Sequence, residues 1–175
     1  MNERELAVVK YLNNLWKGKI DFATEAISNI AILMAFWISA LTLGMWFFPE
    51  RRFVLLGQVL VVAFLHFVIS ELFFKYILPH FVEVRKRPFS EYPEEIVPIG
   101  YQFSYGSMPS SHMSSSAAMA VTLVSVFPIL FWPAVLFLIF MAFARLHNGM
   151  HYPSDIIAGL VLGLSYGFFA IKLIV

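Results

Sequence analysis

Charge and cysteine are what this chain of 175 residues lacks. With no cysteine, disulfides, thiolate metal sites and cysteine nucleophiles are excluded. Only 13% of residues are charged and 60% are hydrophobic, against about 25% and about 45–50% in a soluble globule. A water-facing surface needs that charge and a lipid-facing surface excludes it, so a mean hydropathy of +0.78 points to a membrane protein. The formal net charge is +1, too small to recruit nucleic acid, and no helix-turn-helix, zinc-finger or RNA-binding signature is present. The opening Met1-Asn2-Glu3-Arg4-Glu5 carries acidic residues and no compact apolar core, unlike a cleavable signal peptide. Internal repeats are also lacking, and the length suits a single membrane-embedded domain over 1–175.

What is present is a set of long charge-free stretches, each near the ~20 apolar residues that a helix needs to cross a bilayer. The first runs from Ala26 to Phe48 and is closed by Pro49-Glu50-Arg51-Arg52. The second starts at Phe53 and continues through Glu71 and Lys75 toward Pro79. Between Ile96 and Ala144 there is no Asp, Glu, Lys or Arg. That segment must fold back on itself, with a turn at Phe127-Pro128 and Trp132-Pro133, giving a third span from near His112 and a fourth ending near Arg145. A fifth runs from Ile156 to Ile171. Ahead of them Leu6, Val9, Leu12 and Leu15/Trp16 recur opposite Lys10, Asn13, Asn14 and Lys17, the pattern of an amphipathic helix lying in the interface. The expected fold class is therefore all-α: a bundle of about five transmembrane helices plus an N-terminal interfacial amphipathic helix. Gly159, Gly163 and Gly167, and the small residues from Ser114 to Ala118, are expected to let two spans pack closely.

Alternation of the spans brings three junctions to one membrane face, and these junctions hold the unusual polar residues. The first contains His80, Arg85, Lys86 and Arg87-Pro88. Guanidinium groups bind phosphate oxygens bidentately, although a basic cluster beside a span also serves as a headgroup anchor. The second reads Pro109-Ser110-Ser111-His112, with Pro109 expected at the first helical position. Ser110 and Ser111 then sit at a helix N-terminus, favourable for an anion, and His112 is placed to protonate a leaving oxygen. The third contains Arg145, His147, His151 and Asp155. Asp155 is expected to accept the Nδ1–H of His151, leaving Nε2 to attack, while Arg145 neutralises phosphoryl oxygens. A competing reading makes His147, His151 and Asp155 metal ligands at successive helical turns. Against it, Pro153 should interrupt a continuous helix, and the His-Glu-x-x-His signature is absent.

Arg-Pro, then Pro-Ser-x-His, then Arg-x5-His-x3-Asp, in this order at helix ends, resembles the type 2 phosphatidic acid phosphatase family. The resemblance implies a phosphatase acting on a lipid phosphate or diphosphate without metal or other cofactor. In it His151 attacks phosphorus to form a phosphohistidine, Asp155 orients His151, and His112 protonates the departing oxygen and then activates water. Arg87, Arg145 and the Ser110–Ser111 segment would hold the phosphate, with Arg85 and His80 as further candidates. The partners implied are a membrane lipid substrate and the bilayer. Candidate substrates are lipid A 1-phosphate, phosphatidylglycerophosphate and undecaprenyl diphosphate. Three departures from the family pattern stand out: His80 occupies the place of a lysine, Ser111 that of a glycine and Ala144 that of a serine. Lys75, Lys86 or a protonated His80 are the candidates to replace the lysine.

His66, Glu71 and Lys75 lie within the second span; intramembrane ionisable residues suggest function, but Glu71 and Lys75 can pair one turn apart, and a structural role is the favoured reading. His147 is expected to pack near the site. The loop from Phe89 to Ser107, with Glu91, Glu94, Glu95, Tyr92, Tyr101 and Tyr105, is either a headgroup entrance or plain surface. The alternative function class is an anionic-lipid or ion transporter, which would spread polar residues through several spans. Lysine and arginine bias alone would put the active face in the cytoplasm. The family resemblance instead implies a bacterial inner membrane with the site facing the periplasm, and this is the expectation retained.

Overall fold

The computed structural model describes residues 3–102 and 106–175. Met1, Asn2 and the loop residue Tyr105 lie outside the described residues. Every regular element among them is helical: α1 (Glu3–Asn14), α2 (Asp21–Ser28), α3 (Ile30–Phe47), α4 (Arg52–Leu65), α5 (Pro88–Glu91), α6 (Ser111–Val126), α7 (Phe131–His147) and α8 (Pro153–Leu173). Helix α4 runs on into a π-helical stretch, His66–Ile77, and a 3-10 turn, Leu78–His80.

Among the described residues, four segments are long and apolar enough to cross a membrane: Ile30–Phe47, Pro49–His80, Pro128–His147 and Pro153–Leu173. The third expected span, α6, is not among them and has 16 residues. At ~1.5 Å per residue it is about 24 Å long, short of a ~30 Å hydrocarbon core. It is enclosed by α4, α7 and α8, and buries Met113, Ala117, Ala118, Met119 and Ala120. A helix sheltered by protein does not have to match the lipid thickness.

The glycine stripe sets the distance between α6 and α8. A Cβ added at Gly159 would lie 2.5 Å from the Ser110 carbonyl oxygen, and one at Gly163 would collide with the Ser114 carbonyl. Backbone contact replaces side-chain packing here, as expected where lipid offers no hydrophobic drive. Because the two helices touch along this line, the N-terminus of α6 is held against that of α8, and the Ser110 amide donates to the Asp155 carbonyl at 3.1 Å.

Three local features differ from the sequence expectation. The first span begins at Ile30 rather than Ala26, because the Asn29 side chain accepts from the amides of Ala31 and Ile32 at 2.9 and 3.2 Å and starts a new helix. Pro109 is not the first residue of α6: Ser110 is the N-cap, and Pro109 precedes it after a cis peptide bond. Helix α1 is amphipathic, with Tyr11 and Trp16 beyond it exposed, but its other face docks on protein. Val9 is buried against Ile96 and Tyr152, and the Asn13 amide donates to the carbonyls of His147 and Val97 at 2.6 and 2.8 Å.

Candidate active site

The three polar junctions converge at the end of the bundle where α4 with its π-helical extension and α7 end and where α5, α6 and α8 begin. Arg87 is the N-cap of α5 and Pro88 its first residue. His112 is the second residue of α6. Arg145 lies in the last turn of α7, and His151 sits in the short link to α8, whose first residue is Pro153. That proline and the link break the helix between His147 and Asp155, as the sequence suggests.

Arg87, His112, Arg145 and His151 are all buried and line one cavity of about 570 Å³, together with Ser111 and Ser115. The His151 ring is held at both nitrogens. Its Nδ1–H donates to the Ser107 carbonyl at 2.8 Å, so the lone pair is on Nε2, where an N–H of Arg87 donates at 3.2 Å. The same Arg87 nitrogen donates to the Met150 carbonyl at 3.0 Å. His112 is tied the other way round: Nε2–H donates to the Ser28 carbonyl at 2.9 Å, which puts its basic lone pair on Nδ1. Backbone carbonyls thus select opposite tautomers for the two histidines.

Burial pushes His151 well below the ordinary imidazole value, and the cations Arg145 and Arg87 push it in the same direction. Its ring is therefore neutral at neutral pH, the form that carries a nucleophilic lone pair. Burial also lowers Arg87, to about 10, against the pull of Asp155 and Glu71, and it stays charged at neutral pH. The acid limb of kcat/KM due to this imidazole is accordingly expected below pH ~6.5, the unperturbed histidine value. Removing one cation in Arg87→Gln should move that limb upward. Profiles of both proteins on one substrate cancel the substrate's own titration, and a limb that stays put or falls contradicts the assignment.

Arg145 is buried with Nε and Nη2 lacking any hydrogen-bond partner. Orphaned donors on a buried guanidinium are costly unless an anion takes them, which fits phosphate chemistry at this spot. A second recess of about 260 Å³, lined by Glu25, Ser28, Ile99, Gly100, Tyr101 and Asn148, also reaches Arg145. Part of the 89–107 loop therefore borders the site, while Glu91 accepts from the Tyr152 hydroxyl and Glu95 pairs with Lys10.

Several expected residues are placed differently. Asp155 is buried 3.8 Å from His151 Nδ1, and Ser107 takes the hydrogen bond assigned to it. One Asp155 oxygen accepts the Tyr152 amide at 2.8 Å, closing the first turn of α8, and the other accepts from Arg85 at 2.9 Å. Asp155 is therefore a neighbour of the imidazole and not its hydrogen-bond partner. Arg85 is not in the cavity lining. It bonds Glu5 at 2.7 Å and Ser154 at 2.6 Å and lies over the Tyr152 ring, because two carboxylates hold it more strongly than a solvated loop would. Ser110 is likewise outside the lining, locked between α6 and α8. His80 and Lys86 are exposed, whereas Lys75 lines the cavity.

His147 is buried, with Nδ1 2.8 Å from the Leu12 carbonyl and Nε2 3.1 Å from an Asp21 carboxylate oxygen, so it braces α7 against α1 and α2. Among the described residues, no group of three His, Asp or Glu gathers in a metal-binding arrangement. The acceptors Ser28 and Ser107 escape sequence reasoning because they act through backbone oxygens. Glu5 escapes it because its partner is 80 positions away. His66, Glu71 and Lys75, read as structural from sequence, line the same cavity as His112 and His151, and the Glu71–Lys75 pair forms as expected.

Comparison with known proteins bears on this geometry. The family model described as PAP2 superfamily matches residues 52–175. The undecaprenyl-diphosphatase BcrC of Bacillus subtilis is 26% identical over 161 residues, covering 89% of this chain and 74% of that protein. An undecaprenyl-diphosphatase of Sulfolobus acidocaldarius is 27% identical over 142 residues, 78% of this chain and 63% of the relative. Among solved structures, a transmembrane PAP2-type phosphatidylglycerolphosphate phosphatase from Bacillus subtilis superposes with TM-score 0.72 at 20% identity, covering 98% of this chain and 84% of the other. Aquifex aeolicus LpxE gives 0.65 at 19%, covering 95% and 94%. At those identities the structural likeness establishes the fold.

Proposed function

The chain belongs to the PAP2 superfamily, and from that premise we propose that it is a multi-pass membrane phosphatase that removes phosphate from a lipid through a phosphohistidine. The observation that carries this reading is the shape of the cavity. One end holds His151, His112, Arg87 and Arg145; the other is walled by Leu33, Trp37 and Leu41 of α3 and by Val59 and Val62 of α4. A phosphate at the polar end and a hydrocarbon chain between α3 and α4 would be held by a single continuous space.

The chemistry follows from the tautomers. Phosphate oxygens engaging Arg87 draw its guanidinium away from His151 Nε2, and that lone pair attacks phosphorus. The new P–N bond forms as the P–O bond to the lipid breaks, and protonated His112 gives its Nδ1 proton to the departing oxygen. Neutral His112 then takes a proton from water, whose oxygen attacks phosphorus and displaces His151. Arg145 and Arg87 stabilise the charge on the non-bridging oxygens through both steps. The relatives act on undecaprenyl diphosphate and phosphatidylglycerolphosphate by name, so a bacterial cytoplasmic membrane and a site facing the periplasm suit the same reading.

One experiment addresses activity and sidedness together. Right-side-out membrane vesicles carrying the protein, supplied externally with a short-chain lipid phosphate in excess EDTA, are expected to release phosphate without permeabilisation. Release only after permeabilisation overturns the periplasmic placement. No release in either state, or release abolished by EDTA, overturns the proposed chemistry.

A further inference from the structure

We propose that Glu71 is a specificity-determining residue that holds Lys75 away from the substrate and so sets the cavity for a lipid carrying one phosphate rather than two. The inference rests on the phosphatase reading above and names its substrate class.

Glu71 and Lys75 reach the cavity because the chain is π-helical from His66 to Ile77. In a π-helix each hydrogen bond spans i→i+5, about one residue more per turn than in an α-helix. Residues separated by five and then four positions therefore fall on one face, and His66, Glu71 and Lys75 have that spacing. All three line the cavity that holds His112 and His151. An α-helix would turn Glu71 well away from His66.

Within the cluster Lys75 gives two of its three donors to one carboxylate. Its ammonium donates to both Glu71 oxygens, at 3.0 and 2.8 Å. Glu71 also faces His66 Nε2 at 3.5 Å, and His66 Nδ1 meets the Ser114 hydroxyl at 3.2 Å. The carboxylate is thus anchored on both sides.

The charges lining the cavity then limit what it accepts. Lys75, Arg87 and Arg145 are cationic, Glu71 is anionic, and His66, His112 and His151 complete the ionisable set. Three cations and one carboxylate leave two net positive charges for the phosphate oxygens, with His66 and His151 neutral and the His112 proton committed to the leaving oxygen of either substrate. Behind the lining Arg85 is shared by Glu5 and Asp155 and supplies no excess. A phosphomonoester dianion balances two charges, and Arg87 and Arg145 suffice to meet it. A lipid diphosphate brings a further negative charge whose natural partner, Lys75, is occupied, and Glu71 repels it. Neutralising Glu71 frees one ammonium and adds one net charge, which the second phosphate uses and the first does not need.

Farnesyl monophosphate and farnesyl diphosphate share one hydrocarbon chain and isolate the effect. The diphosphate has the better leaving group, so the informative quantity is how the diphosphate-to-monophosphate ratio of kcat/KM moves between proteins. Glu71→Gln is expected to raise it about tenfold, the scale of one gained charge-assisted hydrogen bond, chiefly through a lower KM for the diphosphate. The double variant Glu71→Gln/Lys75→Met keeps two net charges and should return the ratio to within about threefold of wild type, a residue of imperfect additivity. A ratio unmoved by Glu71→Gln overturns the proposal, as does a double variant that stays with the single one. Those outcomes leave lipid phosphatase activity standing, whereas wild type inert toward both substrates removes the phosphatase reading and this inference together.

Discussion

His151→Ala is expected to lower phosphate release from a lipid phosphate by roughly ten-thousand-fold or more, the scale seen when a covalent nucleophile is deleted. The size follows from how completely the structure commits this ring. Its Nδ1–H is held by the Ser107 carbonyl and its Nε2 lies beside Arg87, so tautomer, position and phosphate ligand are specified together. Neither of the other imidazoles in the cavity replaces it, since His112 is tied to Ser28 with the opposite tautomer and His66 is held between Glu71 and Ser114; His147 braces α7 against α1 and α2. The truncation also leaves the Ser107 carbonyl without its partner, a cost of about 1–3 kcal/mol. His151→Gln, which retains a donor, controls for that loss. Both variants should bind the lipid while trapping no acid-labile phosphoenzyme after quenching. Retention of even a hundredth of wild-type turnover in either would remove His151 from its assigned role.

His112→Ala is expected to cost about 10²–10⁴ in turnover, the usual contribution of a positioned general acid–base, and the loss should depend on the leaving group. A lipid alkoxide needs a proton to depart, so its release suffers in full. A nitrophenolate departs without one, so the first step on p-nitrophenyl phosphate should survive. Hydrolysis of the phosphohistidine still needs His112 to activate water. Rapid-mixing measurements should therefore show a burst of nitrophenol near one equivalent per site, followed by slow turnover and an accumulated phosphoenzyme. Equal losses for both leaving groups, with no burst, would assign His112 to holding Ser28 and α2 in place rather than to proton transfer.

The legible part of the site consists of features that depend on near neighbours in sequence. Charge-free runs mark the spans, and the proline at 153 ends any helix coming from His147. Arg87, His112, Arg145 and His151 stand at span ends that alternation puts on one side, and the structure brings all four to one cavity. Arg85 and Arg87 show where that reasoning stops. Two residues apart and chemically alike, they look equally suited to phosphate. Only the fold brings Glu5 and Asp155 to one of them and the His151 ring to the other.

Asp155 illustrates the same divide. Its spacing from His151 predicts a direct hydrogen bond, yet the first turn of α8 and Arg85 claim its oxygens and a backbone carbonyl from a loop 44 positions away takes the imidazole proton. The π-helical stretch is equally hidden, because the Glu71–Lys75 pair fits an ordinary α-helical turn as well. The sequence by itself determined the membrane setting, the helical class and which polar residues stand at the span ends, since hydropathy and breaker residues act over a few positions at a time. Tertiary structure alone decided which polar group meets which. Buried donors and acceptors compete for few partners, and the winner depends on distances that exist only once the helices have packed.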